Sequence, residues 1–94
     1  MSAPGPYAVQ YEPKALKELT KLDKPAARRI VKAVDALGIE PRPSGSRPLV
    51  GYPGLSRIRV GDYRVVYTGK DAELVVLALR VAHRTTGYRS RIYA

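Results

Sequence analysis

The chain has no cysteine, one histidine and only eight carboxylates among its 94 residues. Without cysteine there is no disulfide, no thiolate nucleophile and no cysteine-based metal site. One histidine among scattered carboxylates also makes a protein-only zinc site a poor expectation. The longest apolar stretch, residues 74–79, is far below the roughly 20 residues of a membrane span. Residues 1–6 are uncharged and no apolar segment follows them, so no signal or transit peptide is visible and the cytoplasm is the default expectation. These absences leave metal-free chemistry without a cofactor, or plain binding, in a soluble protein with no membrane partner. A chain of this length supports one modest core, so residues 1–94 are expected to form a single domain.

Basic residues, in contrast, are abundant: 17 against the eight acids, for a net charge of +9. Their placement says more than their sum. Residues 1–41 hold seven basic and five acidic side chains, whereas residues 42–94 hold ten basic and three acidic. Nine of those ten are arginines, whose planar fork matches phosphate oxygens two at a time and stays charged when partly desolvated. The second half is the anion-binding half, and a polyanion is the expected partner.

Apolar spacing gives the elements. Tyr7, Val9 and Tyr11 alternate with Ala8 and Gln10, a short half-buried strand ending at Pro13. Pro13 suits a first helical turn, and Leu16, Leu19 and Leu22 recur at near-helical spacing. Asp23 is placed to cap a second helix with Pro25 in its first turn. Ala27, Ile30, Val31, Val34 and Leu37 form its apolar stripe, and Gly38 its end. Residues 41–48, rich in proline, glycine and serine, read as a connecting loop. Residues 55–60 and 63–68 flank Gly61-Asp62, a two-residue hairpin signal, and residues 73–82 form a last, largely apolar strand. The expectation is an α+β fold of order β-α-α-β-β-β, a helical hairpin packed on one face of a small antiparallel sheet.

A two-residue turn at Gly61-Asp62 pairs Val60 with Tyr63, Arg59 with Arg64, Ile58 with Val65 and Arg57 with Val66. Two arginines then stand directly opposite, an arrangement that destabilises a sheet by a few tenths to about 1 kcal/mol unless an anion lies between them. By period two, Arg57 shares that face, and on the last strand Arg80, Ala82 and Arg84 share one parity while Leu77, Leu79 and Val81 share the other. The expected sheet has one apolar face and one bearing four or five arginines and no carboxylate. An ordinary solvated face would mix in Glu, Lys, Thr and Ser. Past the strand, Tyr88 stands among Arg89 and Arg91, as aromatics do beside arginines where single-stranded bases stack. His83 has the parity of the apolar face, which favours packing over chemistry. Tyr7, Tyr11, Tyr63 and Tyr67 read as packing residues, and Arg28, Arg29 and Lys32 as solvated surface.

Residues 48–67, PLVGYPGLSRIRVGDYRVVY, resemble the signature of the RelE/ParE toxin superfamily. Ala82-His83-Arg84 followed by Tyr88-Arg89 is similar to the family's C-terminal pattern, and Tyr11 to Lys17 resembles its first strand-to-helix junction. The resemblance implies a RelE-like fold and a toxin of a type II toxin-antitoxin system with a cognate antitoxin partner. Its RelE-like branch implies a ribosome-dependent, metal-independent mRNA endonuclease that inhibits translation through 2′-hydroxyl attack on the scissile phosphate. Arg59, Arg64, Arg84 and Tyr88 are then the expected catalytic residues, and Arg57, Arg80, Arg89 and Arg91 the RNA-binding ones. Relatives carry lysines where this chain has Arg57 and Arg59, and arginine is a very poor base, with a pKa above about 12. Proton transfer is left to Tyr88, to His83, or to the ribosome and substrate. The ParE-like branch implies instead a non-catalytic inhibitor of DNA gyrase. A non-toxic nucleic-acid-binding module is the third reading.

Overall fold

The computed structural model describes residues 6–84. The elements run β1 (Ala8–Tyr11), α1 (Pro13–Thr20), α2 (Lys24–Leu37), β2 (Arg47–Pro48), β3 (Ser56–Val60), β4 (Tyr63–Lys70) and β5 (Val75–His83). They build one five-stranded sheet in the order β1-β5-β4-β3-β2. The helical hairpin packs on one face of it, as the apolar spacing implied. The sheet is mixed, because α1 and α2 carry the chain across that face before the meander begins and β1 then pairs parallel with β5. Inside the loop expected over residues 41–48, Arg47 and Pro48 pair with Arg57 and Ser56 as a two-residue edge strand. Proline is tolerated at an edge because no ladder donor is needed there.

The core joins Ala15 and Leu19 of α1 and Ile30, Val34 and Leu37 of α2 to Ile58, Val60, Val65, Tyr67, Val76, Ala78 and Val81 of the sheet. The inner stripe of α1 is therefore 15 and 19, continued by Leu22 just past its end, and Leu16, expected inward, is half exposed. Asp23 occupies the N-cap position of α2 but its side chain makes no capping hydrogen bond. Gly38 ends α2 in right-handed geometry, so close approach explains the residue better than left-handed freedom does. Its carbonyl accepts the Tyr7 N–H at 3.0 Å, and a Cβ there would lie 2.9 Å from the Tyr7 carbonyl oxygen. Tyr67 donates its buried hydroxyl to the Pro41 carbonyl at 2.6 Å, tying the loop after α2 to the sheet.

The Tyr11 hydroxyl is buried without a hydrogen-bond partner among the described residues. Burial first, and the nearby Asp35 charge second, push its pKa up to about 12. Because the folded value is the higher one, the neutral phenol is favoured in the native state. Stability is retained below pH 10 and lost as pH rises from there toward 12. Tyr11→Phe removes an unsatisfied polar group, so it is expected to raise stability by about 1 kcal/mol at pH 7 and to flatten this alkaline decline. Urea unfolding at pH 7, 10 and 12 measures both. A loss of stability at pH 7 would contradict the orphaned hydroxyl.

The hairpin register is the expected one: Val60 faces Tyr63, Arg59 faces Arg64, Ile58 faces Val65 and Arg57 faces Val66. Gly61 has φ +60, the conformation that a glycine in the first central position of such a turn supplies without a Cβ clash. On β5 the expected phase fails. Val66 faces Arg80 but Tyr67 faces Ala78, so Leu79 is an extra residue with no partner in β4, a β-bulge. Before the bulge, the even-numbered Val76 and Ala78 face the helices; after it, the odd-numbered Val81 does. Leu77 and Leu79, expected to share a buried parity with Val81, are only half-buried and lie outside the core cluster.

Candidate anion-binding face

Two transverse rows cross the side of the sheet away from the helices. Arg59, Arg64 and Ala82 lie side by side across β3, β4 and β5, and Arg57, Val66 and Arg80 form the adjacent row. Neighbouring strands stand about 4.8 Å apart, so arginines on adjacent strands can bring both forks to one phosphate. Arg59 is exposed, and Arg57 and Arg64 are half-buried. Val66 has no exposed surface although it lies outside the helix-side core. The row of Arg57 and Arg80 thus has at its centre an apolar residue screened from water.

One end of this face is closed. Thr68, which shares the parity of Arg64 and Val66, donates its hydroxyl to the Gly54 carbonyl at 2.8 Å, pinning the loop of residues 49–55 to β4. Gly51 and Gly54, both at φ +84, let that loop turn tightly. The arginine rows lie toward the other end, near Gly61-Asp62.

Two carboxylates enter the neighbourhood, contrary to the expectation of a face without any. Asp62 accepts from Arg84 twice, through its carbonyl from the backbone N–H at 2.7 Å and through Oδ1 from Nε at 3.2 Å. Glu18 of α1 accepts from Arg80 Nε at 2.9 Å and Nη2 at 2.6 Å, and from the Val81 backbone N–H at 2.7 Å. Arg57 and Arg59 form no ion pair among the described residues. The sequence offered no cue for Glu18, which is 62 residues from Arg80. Asp62 was visible only as a turn residue.

The structure therefore brings Arg57, Arg59 and Arg64 together, sets Arg84 at the rim beside the hairpin turn, and engages Arg80 with α1. His83 does not join them. It faces Tyr63 in the register, on the helix-side parity, and the two rings meet edge to face with centroids 5.2 Å apart. Tyr88, Arg89 and Arg91 lie outside the described residues. A separate polar cluster marks the opposite end of the sheet. There Asp71 accepts from the Tyr7 hydroxyl at 2.6 Å and from Arg42 Nη1 and Nη2 at 3.1 Å each. The Tyr7 hydrogen bond and then the Arg42 guanidinium hold the Asp71 carboxyl below its ordinary value. That cluster fastens the β4–β5 turn to the start of β1 and is spent on itself.

Residues 9–88 match the model of a protein family described as the ParE toxin of the type II toxin-antitoxin system, parDE. The chain belongs to the RelE/ParE toxin superfamily. It is a toxin of a type II toxin-antitoxin system, which sets aside the reading as a non-toxic binding module. No individually curated protein matches it. Among solved structures, the archaeal RelE–RelB complex from Pyrococcus horikoshii OT3 is 32% identical with a TM-score of 0.74, covering 85% of this toxin and 97% of that chain. The toxin-antitoxin complex RelBE2 from Mycobacterium tuberculosis is 30% identical with a TM-score of 0.77, covering 89% and 98%. The isolated RelE toxin from E. coli is 28% identical with a TM-score of 0.72, covering 82% and 83%. All three cover 82% or more of this toxin, so the rows of arginines stand on a RelE-like fold.

Proposed function

We propose that this toxin is a ribosome-dependent endonuclease that cuts mRNA in the cytoplasm and so inhibits translation. The observation that carries the reading is the direct pairing of Arg59 with Arg64, beside the small Ala82, on the side of the sheet away from the helices. Two like charges held opposite each other are costly in the free protein and favourable around a phosphate. Strand cleavage needs no metal when the substrate brings its own nucleophile. The ribose 2′-oxygen attacks the adjacent phosphorus and the bond to the 5′-oxygen breaks. The products are a 2′,3′-cyclic phosphate and a 5′-hydroxyl that takes up a proton.

Arg59 and Arg64 stabilise the charge that builds on the phosphoryl oxygens, and Arg57 holds a flanking phosphate. Arg84 uses Nε for Asp62 and keeps its two amino groups for the leaving side. Tyr88 stacks on or orients the target nucleotide, with Arg89 and Arg91 as further phosphate contacts. Since arginine is a poor base, the 2′-hydroxyl proton goes to Tyr88 or to groups of the ribosome and substrate. The edge-to-face contact of His83 with Tyr63 weighs against His83.

The toxin is held inactive by a cognate antitoxin, as the Pyrococcus and Mycobacterium relatives are seen in complex with theirs. No helix among the described residues is long and apolar enough to cross a membrane. Incubating the purified toxin with programmed ribosomes and mapping mRNA ends by primer extension tests the reading. Cleavage within the A-site codon is expected, and intact mRNA overturns it. The matched ParE family supports a second reading, non-catalytic inhibition of DNA gyrase. It predicts lost supercoiling activity with ribosome-bound mRNA left uncut.

A further inference from the structure

We propose that Glu18 of α1 is a positioning residue for the arginine face, acting by fixing the phase of β5. The inference rests on the reading that this face is the working site. β1 pairs with β5 only along residues 75–78, and Glu12 donates its N–H to the Ala78 carbonyl at 2.9 Å as the chain turns into α1. Past Ala78, no strand among the described residues lies on that side of β5. The bulge at Leu79 falls where this support ends. It decides which side chains reach the arginine rows. Continued from Val76 and Ala78 without interruption, the period of two would turn Arg80, Ala82 and Arg84 toward the helices and Val81 away from them. The inserted Leu79 reverses this. Val81 enters the core, Ala82 lines up with Arg64, and Arg84 shares Ala82's parity.

Beside the β4 pairing of residues 80–83, Glu18 supplies the hold on the open side of the reversed segment. One carboxylate oxygen takes the N–H of Val81, the residue that starts the new phase, and the other takes Nε and Nη2 of Arg80, the last residue of the bulge. The pair is largely shielded, with side-chain exposures of 18% for Arg80 and 21% for Glu18. A carboxylate that accepts three donors in such surroundings makes stronger bonds than a neutral acceptor does. An alanine at this position leaves the Val81 N–H and the Arg80 guanidinium without the acceptor that spans the bulge. The end of β5 then loses its fixed phase, and the contact between Ala82 and the Arg64 row is lost with it.

The test compares wild type with Glu18→Gln and Glu18→Ala, using NMR of the full chain and mRNA cleavage on ribosomes. Glutamine keeps an acceptor for Val81 and removes the charge facing Arg80. It is expected to retain the nuclear Overhauser contact between the Ala82 methyl and the Arg64 side chain, with cleavage within about threefold of wild type. Alanine is expected to abolish that contact, to speed exchange of the Val81 amide about tenfold or more, and to lower kcat about tenfold without raising KM. Should Glu18→Ala not fold, Glu18→Asp, which keeps the charge but is one methylene shorter, takes its place. Retention of the Ala82–Arg64 contact with a protected Val81 amide in the alanine or aspartate variant overturns the proposal. So does an equal fall of cleavage in the glutamine variant. If wild type itself leaves mRNA intact, the endonuclease reading fails, and the Overhauser and exchange measurements still decide the role of Glu18.

Discussion

Arg64→Ala combined with Arg84→Ala is expected to lower mRNA cleavage on ribosomes by about 10³-fold or more while leaving the fold intact. Removing a single preorganised donor from a developing anion commonly lowers kcat by about 10²–10³-fold, and groups acting on one phosphate are not additive. Each single variant should therefore lose about 10²-fold and the pair somewhat more, short of the product of the two. The fold should tolerate the change, because Arg64 stands opposite Arg59 and deleting it relieves a like-charge pair. Arg84 lies on the exposed rim, in an ion pair whose partners are 51% and 66% exposed, and such pairs contribute little to stability. A double variant that still cuts at more than a tenth of the wild-type rate would remove these arginines from the reaction. One that no longer cuts but also unfolds below 37 °C would show that the loss is structural.

Ile30→Ala is expected to have the largest effect on stability, about 3 kcal/mol or more. Ile30 is fully buried in α2 and belongs to the cluster that includes Val65, Tyr67 and Val76 of the central strands. Its truncation loses transfer energy and leaves a cavity between two layers that cannot close independently. For a domain of this size each kcal/mol shifts the melting temperature by about 4–8 °C, so a fall of at least about 12 °C should be seen by circular dichroism. Leu16→Ala is the paired measurement. Leu16 was expected inward from its spacing with Leu19 and Leu22, yet it is 50% exposed, so its truncation should cost well under 1 kcal/mol. Equal losses in the two variants would contradict the observed rotation of α1.

Leu16 shows where the linear pattern reaches its limit. Leu16, Leu19 and Leu22 fit a stripe by spacing, but Ala15 fits equally well at four residues from Leu19, and a short helix can turn either way. Docking against β5 decided for Ala15. The hairpin, by contrast, was fully legible. Gly61-Asp62 has local turn chemistry of its own, and once the turn is fixed the opposition of Arg59 and Arg64 follows by counting. Asp62 was legible as a turn residue but not as the acceptor for Arg84, since that partnership depends on β5 ending beside the turn.

The arginine content, its concentration in residues 42–94, the helical hairpin and the register of β3 with β4 were all determined by the sequence alone, because each rests on composition or on contacts between neighbours in the chain. The parallel pairing of β1 with β5, the bulge at Leu79 and the capture of Arg80 and Val81 by Glu18 were decided only by the tertiary structure. The pairing of β1 and the capture by Glu18 join segments more than 60 residues apart, and an alternating strand carries no local mark of where its phase will change. Which arginines exist is thus written in the chain. How Arg80 and Arg84 of the last strand lie beside the hairpin arginines was decided by the bulge and by the packing of α1.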